Sequence, residues 1–247
     1  EASSRTSIQK TKLNEYSIMS KDKQPDFSMI IASAVHDMKN SLSMLLHSVD
    51  QMCEELPEEW QQRNNTTVVK YEAERVNSYL VQLLGLYRLQ NEMLSLHIDE
   101  CFVHDILDEQ SAHYSPMLKD KNIELEITCD PNISWYFDRE VILGVLNNAL
   151  NNASRYTKSI IEIVAYIKDD DLIIEIHDDG IGYPDELLQA SPGEVINNIN
   201  FQTGSTSLGI YFAEMVTKLH TQNDKQGSIK LSNGGRHGGG VFTVALP

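Results

Sequence analysis

His36-Asp37-Met38-Lys39-Asn40-Ser41-Leu42 sets a histidine, an acid and an amide inside a run whose apolar residues return every three or four places. Phe27, Ile31, Ala34, Met38, Leu42, Leu45, Val49, Met52 and Leu56 make up that series, the spacing of one helical stripe. At about 100° per residue, His36 stands about 200° from both Ala34 and Met38. It is therefore expected off the stripe, facing water with Asn40, Ser43 and His47. Pro25 and Asp26 supply a helix start and Pro57 a stop.

Working outward, Val69, Ala73, Val76, Leu80, Leu83, Tyr87, Gln90 and Leu94 alternate spacings of four and three, a heptad seam. Two long helices joined by a short polar turn cannot bury both seams alone. Pairing two hairpins into a four-helix bundle does so, and the pattern thus predicts a homodimer. Residues 1–24 are polar and aperiodic, expected as a leader or the stump of a linker. The chain opens on Glu1 rather than Met, which fits a fragment whose sensory part has been cut away.

The pattern changes after Leu96. Strand-like runs fall at 123–129, 133–137, 160–167, 172–177, 228–231 and 241–246, with helical runs at 102–119, 140–156 and 208–220. Asp169-Asp170-Asp171 marks a hairpin. Residues 183–206, rich in Asn, Ser, Gly and Pro, read as a loop. The expected architecture is α+β and multidomain. A helical hairpin over 25–96 dimerises into a four-helix bundle, and a two-layer α/β sandwich with a mixed sheet follows over 97–247.

A formal net charge of -16 argues against nucleic acid or an anionic membrane as a direct partner. No apolar run approaches the roughly twenty residues of a membrane span. Cys53, Cys101 and Cys129, odd in number and widely spaced, suggest free thiols in a reducing compartment. A cytoplasmic location is expected for this fragment, whether the full-length protein is membrane-anchored or soluble.

The candidate chemistry lies in three places. An exposed imidazole at His36 can act as a nucleophile, with Asp37 to orient the ring and take its proton. Asn148 and Asn152, four apart, project from one helix face, and an amide oxygen is a reasonable ligand for a magnesium ion carried by a triphosphate. Asp178-Asp179-Gly180-Ile181-Gly182 follows an apolar strand. Its carboxylate can accept from an exocyclic amine, and its glycines allow a ligand close to the backbone.

In this order the three resemble the catalytic core of two-component sensor histidine kinases, over nearly all of residues 25–247. His36, Asp37, Asn40 and Leu42 match the family's H-box, usually His-Glu/Asp-x-x-Asn/Thr-Pro-Leu; Ser41 stands where proline is common. The resemblance implies that His36 is the phosphoacceptor and that Asn40 orients the water that dephosphorylates the partner. It further implies that Asn148 and Asn152 form the N-box of a GHKL ATPase, with Asn152 on Mg2+. Arg155 would reach phosphate, Tyr156 pack by the adenine and Asp178 read its amino group. Gly180 and Gly182 complete the first glycine box.

Ser205 to Ile210 sits where the family has a second glycine box, at a helix start able to hold phosphate. Leu208 and Gly209 are its candidates, with Gly209 alone in register. No Lys or Arg occurs between residues 182 and 217, which leaves Mg2+, Arg155 and Lys158 to offset the phosphates. Phe201 is a candidate for the family's aromatic box, with a place in the core as the equal alternative. Gly234, Gly235 and the triplet Gly238-Gly239-Gly240 read as turns with no chemistry required. The implied function is ATP-dependent autophosphorylation and transfer to the receiver domain of a response regulator, with phosphatase activity toward that partner. A phosphotransfer or phosphatase scaffold of the same fold, with a weak or inactive nucleotide site, is the alternative.

Overall fold

The structure, a computed structural model, describes residues 27–55, 64–91, 95–189 and 206–247. The expected leader, the stop at Pro57 and the aromatic Phe201 lie outside the described residues.

Helices α1 (Phe27–Glu55) and α2 (Asn64–Gln90) carry the two apolar series. On α1, Ala34, Leu42 and Val49 are half-buried, while Met38, Leu45 and Met52 of the same series are exposed. On α2, Ala73 is buried but Val76 and Leu83 are exposed. The chain divides after Leu80 into two compact units, the second being Val81–Pro247. The last turns of α2 therefore belong to the second unit. Gln82 and Leu86, neither of them a seam residue, are buried there, Leu86 within the core.

Strand β1 (Asp99–Phe102) leads into helix α3 (Val103–Asp120), followed by β2 (Glu124–Cys129) and β3 (Ser134–Phe137). β1 pairs antiparallel with β3 as a small separate sheet. Helix α4 (Arg139–Tyr156), strands β4 (Ile160–Lys168) and β5 (Asp171–Asp178), and the short helix α5 (Asp185–Gln189) come next. Helix α6 (Thr206–Thr217), the two-residue strands β6 (Thr221–Gln222) and β7 (Lys225–Gln226), then β8 (Ser228–Asn233) and β9 (Gly240–Leu246) complete the chain. The main sheet runs β2-β4-β5-β9-β8, parallel between β2 and β4 and antiparallel elsewhere. It is the mixed sheet that the sequence suggests.

Alternation decides which side of that sheet is covered. Ile161, Ile163 and Ala165 of β4 share one face with Leu172, Ile174 and Ile176 of β5 and with Phe242, Val244 and Leu246 of β9. All are buried in one core with Leu107, Ile142, Leu146 and Leu150 of α3 and α4 and Phe212, Ala213 and Val216 of α6. The layers are thus one sheet and one set of helices. Asp169 and Asp170 both take positive φ, 53° and 63°, as a two-residue hairpin turn requires. Two expectations were incomplete. The β1 strand went unread because Asp-Glu-Cys-Phe does not alternate, and residues 185–189 of the expected loop form a helix.

Candidate functional site

Helix α4 begins at Asp138, whose side chain caps it. Oδ1 accepts from Val141 N at 3.1 Å and Oδ2 from His97 N at 2.8 Å. The Asp138 N–H in turn donates to Nε2 of buried His220 at 3.1 Å. His220 Nδ1 lies 3.3 Å from Val216 O, so that nitrogen carries the proton. Burial holds the His220 pKa below its usual value against the raising effect of the Val216 and Thr217 backbone. This fixes the register of the helix that bears the asparagines.

On α4, Asn148 Oδ1 accepts from Gln82 Nε2 and lies 3.4 Å from where a Cβ on Gly209 would be. The structure therefore joins Asn148, Gly209 at the start of α6 and the tail of α2. Asn148 Nδ2 is buried without a hydrogen-bond partner among the described residues, a donor suited to an incoming acceptor. One turn on, Asn152 lies close enough to the phenol of Tyr183 to lower its pKa, against the larger effect of burial, which raises it. Arg155 is half-buried and near enough to Lys121 to lower its pKa, after burial. Tyr156 is exposed, and Leu208 packs against the core.

β5 delivers Asp178 to the sheet end. Its carboxylate is buried, and Oδ1 accepts from Gly180 N at 2.7 Å and from Gly240 N at 3.1 Å. Its carbonyl accepts from Gly239 N at 3.0 Å. A Cβ on Gly239 would fall 2.4 Å from Asp178 Oδ1, and one on Gly240 2.8 Å from Oδ2. Only glycine lets the backbone approach so closely. The glycines read as plain turns are therefore part of the site. Gly182 sits at φ 76°, and Tyr183 after it exchanges backbone hydrogen bonds of 2.7 and 2.8 Å with the side chain of Asn233.

The neighbouring Asp179 points the other way. Its carboxylate accepts from Lys158 N (2.8 Å), Ser159 N (3.1 Å), Ser159 Oγ (2.6 Å) and Ile160 N (3.4 Å). Burial raises its pKa, but these bonds together bring it down to about 2. It staples the end of β5 to the start of β4.

The turn between β8 and β9, which supplies Gly239 and Gly240, is held on the face of the sheet opposite the main core. Arg236 Nη1 lies 2.8 Å and His237 Nε2 3.0 Å from the two oxygens of buried Glu162, and Thr128 Oγ1 donates to the same carboxylate at 3.1 Å. Burial raises the Glu162 pKa; the hydrogen bonds from His237 and Thr128 and the Arg236 charge lower it further than that. Arg236 N also donates to His177 Nδ1 at 3.4 Å.

In α1, His36 is helical in backbone and its side chain lies outside the described residues. Asp37, Asn40, Ser43 and His47 are exposed. Tyr183, Asn233, Gly239 and Gly240 were missed from sequence. Asn233, Gly239 and Gly240 meet the site from more than fifty residues away, signalled locally only by the Gly238-Gly239-Gly240 run, whereas Tyr183 directly follows the first glycine turn and no motif marks it. Among the described residues, no helix is long and apolar enough to cross a membrane, and Cys101 and Cys129 are free thiols.

Buried, pinned Asp178 and the glycine backbone facing it fit a purine bearing an amine. The orphan donor of Asn148 beside the α6 start fits a phosphate, and the hard amide oxygen of Asn152 fits Mg2+.

Residues 137–247 match the family of histidine kinase-, DNA gyrase B-, and HSP90-like ATPases. The sensor protein SrrB of Staphylococcus aureus strain N315 is 26% identical over 224 residues, covering 88% of this chain and 37% of the relative. The chain thus spans little more than a third of the length of the curated relatives it matches. Among solved structures, Acinetobacter baumannii histidine kinase AdeS aligns with a TM-score of 0.53 at 20% identity, over 85% of this chain and 96% of that one. Full-length ShkA in complex with AMPPNP aligns at 0.61 and 19% identity, over 89% of this chain and 45% of that one. At these identities the structural likeness establishes the fold.

Proposed function

We propose that this chain, which carries the catalytic core of a sensor histidine kinase, is an ATP-dependent protein histidine kinase that phosphorylates its own His36. The phosphoryl group then passes to an aspartate in the receiver domain of a response regulator. Residues 25–96 are assigned as the dimerisation and phosphoacceptor hairpin and 97–247 as the ATP-binding domain, after a leader at 1–24. The exposed Met38, Leu45, Met52, Val76 and Leu83 support a homodimer in which two hairpins cover each other's seams. We place the reaction in the cytoplasm and add phosphatase activity toward the regulator, with Asn40 orienting the water.

The observation that carries the reading is Asp178, buried and held by the amides of Gly180 and Gly240 within reach of α4. There the carboxylate accepts from the adenine amine, with Tyr156 beside the base and Gly180 and Gly182 shaping the turn. Asn148, Arg155, Leu208 and Gly209 border the phosphates. Asn152 would hold Mg2+, whose charge would offset that of the triphosphate. A ring nitrogen of His36 attacks the γ-phosphorus, the bond to the bridging oxygen breaks, and ADP leaves. Asp37 orients the ring and takes the nitrogen's proton. In such transfers the protein mainly positions groups and offsets charge.

Incubation with ATP labelled in the γ-phosphate tests this. Wild type should gain a label that is lost in acid and kept in base, and His36→Ala should abolish it with circular dichroism unchanged. Equal labelling of the variant would overturn the assignment. Failure of the wild type to bind ATP at all would leave the phosphotransfer scaffold as the better account.

A further inference from the structure

Between Asn233 and Val241 the chain is glycine except at Arg236 and His237. Those two side chains go to one place. Arg236 Nη1 and His237 Nε2 meet the two oxygens of buried Glu162 on β4, at 2.8 and 3.0 Å, and Thr128 Oγ1 of β2 donates to it at 3.1 Å. The main chain of the turn has a second anchor beside the first. Arg236 N donates to Nδ1 of buried His177 at 3.4 Å, while His177 Nε2 lies 3.1 Å from Glu175 Oε2 and so carries the proton. Glu162 and His177 stand opposite each other in the β4–β5 pairing.

One strand position after His177, Asp178 takes the same turn from the other face of the sheet. Its carbonyl accepts from Gly239 N and its carboxylate from Gly240 N. Both positions need bare backbone, since a Cβ at either would meet that carboxylate. Glycine, however, loses more conformational freedom on folding than any other residue. Backbone bare enough to fit against Asp178 is therefore backbone that holds itself poorly. Side chains must supply the order, and within the turn only Arg236 and His237 have any to offer. Their bonds to a buried carboxylate are charge-assisted, among the stronger a protein can make.

We propose that Glu162 is a positioning residue for base recognition. Through Arg236 and His237 it latches the turn on the far face of the sheet, keeps the Gly239 and Gly240 amides on Asp178, and so fixes the carboxylate that reads the adenine amine. This rests on the assignment of Asp178 to that amine. Glu162 acts only through the turn, because its side chain and that of Asp178 lie on opposite faces.

The test compares calorimetric binding of ATP and of inosine triphosphate to the full chain with Mg2+ present. Inosine triphosphate has a carbonyl where ATP has the amine, so the ratio of the two affinities reports on the base. Glu162→Gln and His237→Ala should each lower that ratio about tenfold. His237→Gln, which restores a donor, should bring it back. His237 is the more exposed end of the pair, so its variants carry the test should Glu162→Gln not fold. Amide exchange at Gly239 and Gly240, followed by NMR, should quicken in His237→Ala and return to the wild-type rate in His237→Gln. Unchanged exchange in His237→Ala would overturn the proposal. So would equal losses for the two nucleotides, which would mark the latch as serving stability alone. Asp178→Asn separates the two levels: if it lowers the ratio while the latch variants keep it, only the role of Glu162 fails. If Asp178→Asn leaves the ratio at the wild-type value, the base assignment fails and the latch with it.

Discussion

Asp178 and Asp179 are adjacent and do opposite work. Asp178 faces the glycine backbone of β9, whereas Asp179 is consumed by the α4–β4 junction. The folded-state pKa of Asp179 lies near 2, against an ordinary value of 3.8. A depressed carboxylate stabilises the fold above its unfolded pKa, and that contribution is lost as pH falls through the folded value. Asp179→Asn should therefore cost about 1–2 kcal/mol at pH 7, discounted for partial exposure. The gap from wild type should narrow steadily between pH 4 and pH 2, measured by urea unfolding. A gap that does not change over that range would show that the charge is not what the amides hold. At this scale the sequence was readable where one short segment carries its own pattern, as with Asn148 and Asn152 on one helix face or Asp178 at the end of a strand. Asn233 and Gly240 were not readable, because sheet order rather than local sequence brings them to Asp178 and Tyr183.

Helices α2, α4 and α6 meet around the ring of Phe212, and two glycines there make opposite predictions. A Cβ on Gly85 of α2 would lie 2.5 Å from Phe212 Cε2, while one on Gly144 of α4 would lie 3.8 Å from Cε1, ordinary contact. Gly144→Ala should stabilise by up to about 1 kcal/mol through helix propensity. Gly85→Leu should cost about 1–3 kcal/mol, because overpacking outweighs that gain. Thermal melts of the two variants read the signs directly; a stabilised Gly85→Leu would mean that α2 and α6 are not in contact in solution. The elements themselves were largely legible. Apolar alternation at Ile161-Glu162-Ile163 and Ile174-Glu175-Ile176 gave strands, and the three–four spacing gave α1 and α2. The buried face of the α2 tail was not legible, since the heptad series runs on through Leu83 and Tyr87 and says nothing of a second buried side at Gln82 and Leu86.

For the molecule as a whole, the division after Leu80 marks where the second unit, Val81–Pro247, can be cut. A fragment of residues 81–247 keeps Leu86 in the core and Gln82 on Asn148, whereas one of residues 97–247 exposes both sites. Losing a buried leucine costs about 2–5 kcal/mol. The shorter fragment should thus melt several degrees lower, at roughly 2–4 °C per kcal/mol for a domain of this size. Both should sediment as monomers, since the hairpin seams are cut away or left incomplete. Equal melting temperatures would show that the tail of α2 is not part of the unit.

One oxygen of Asp178 is committed to the amides of Gly180 and Gly240, and those bonds belong to the fold rather than to any ligand. In the proposed role of Asp178, only the second oxygen remains for recognition. An asparagine in its place would have to keep its oxygen on the amides, and so would turn its NH2 outward, exchanging an acceptor for a donor. In its proposed role at the base, the same atom pair ties the closure of β9 to the choice of base. A lineage that drifts toward another nucleotide must rebuild the end of its last strand at the same time.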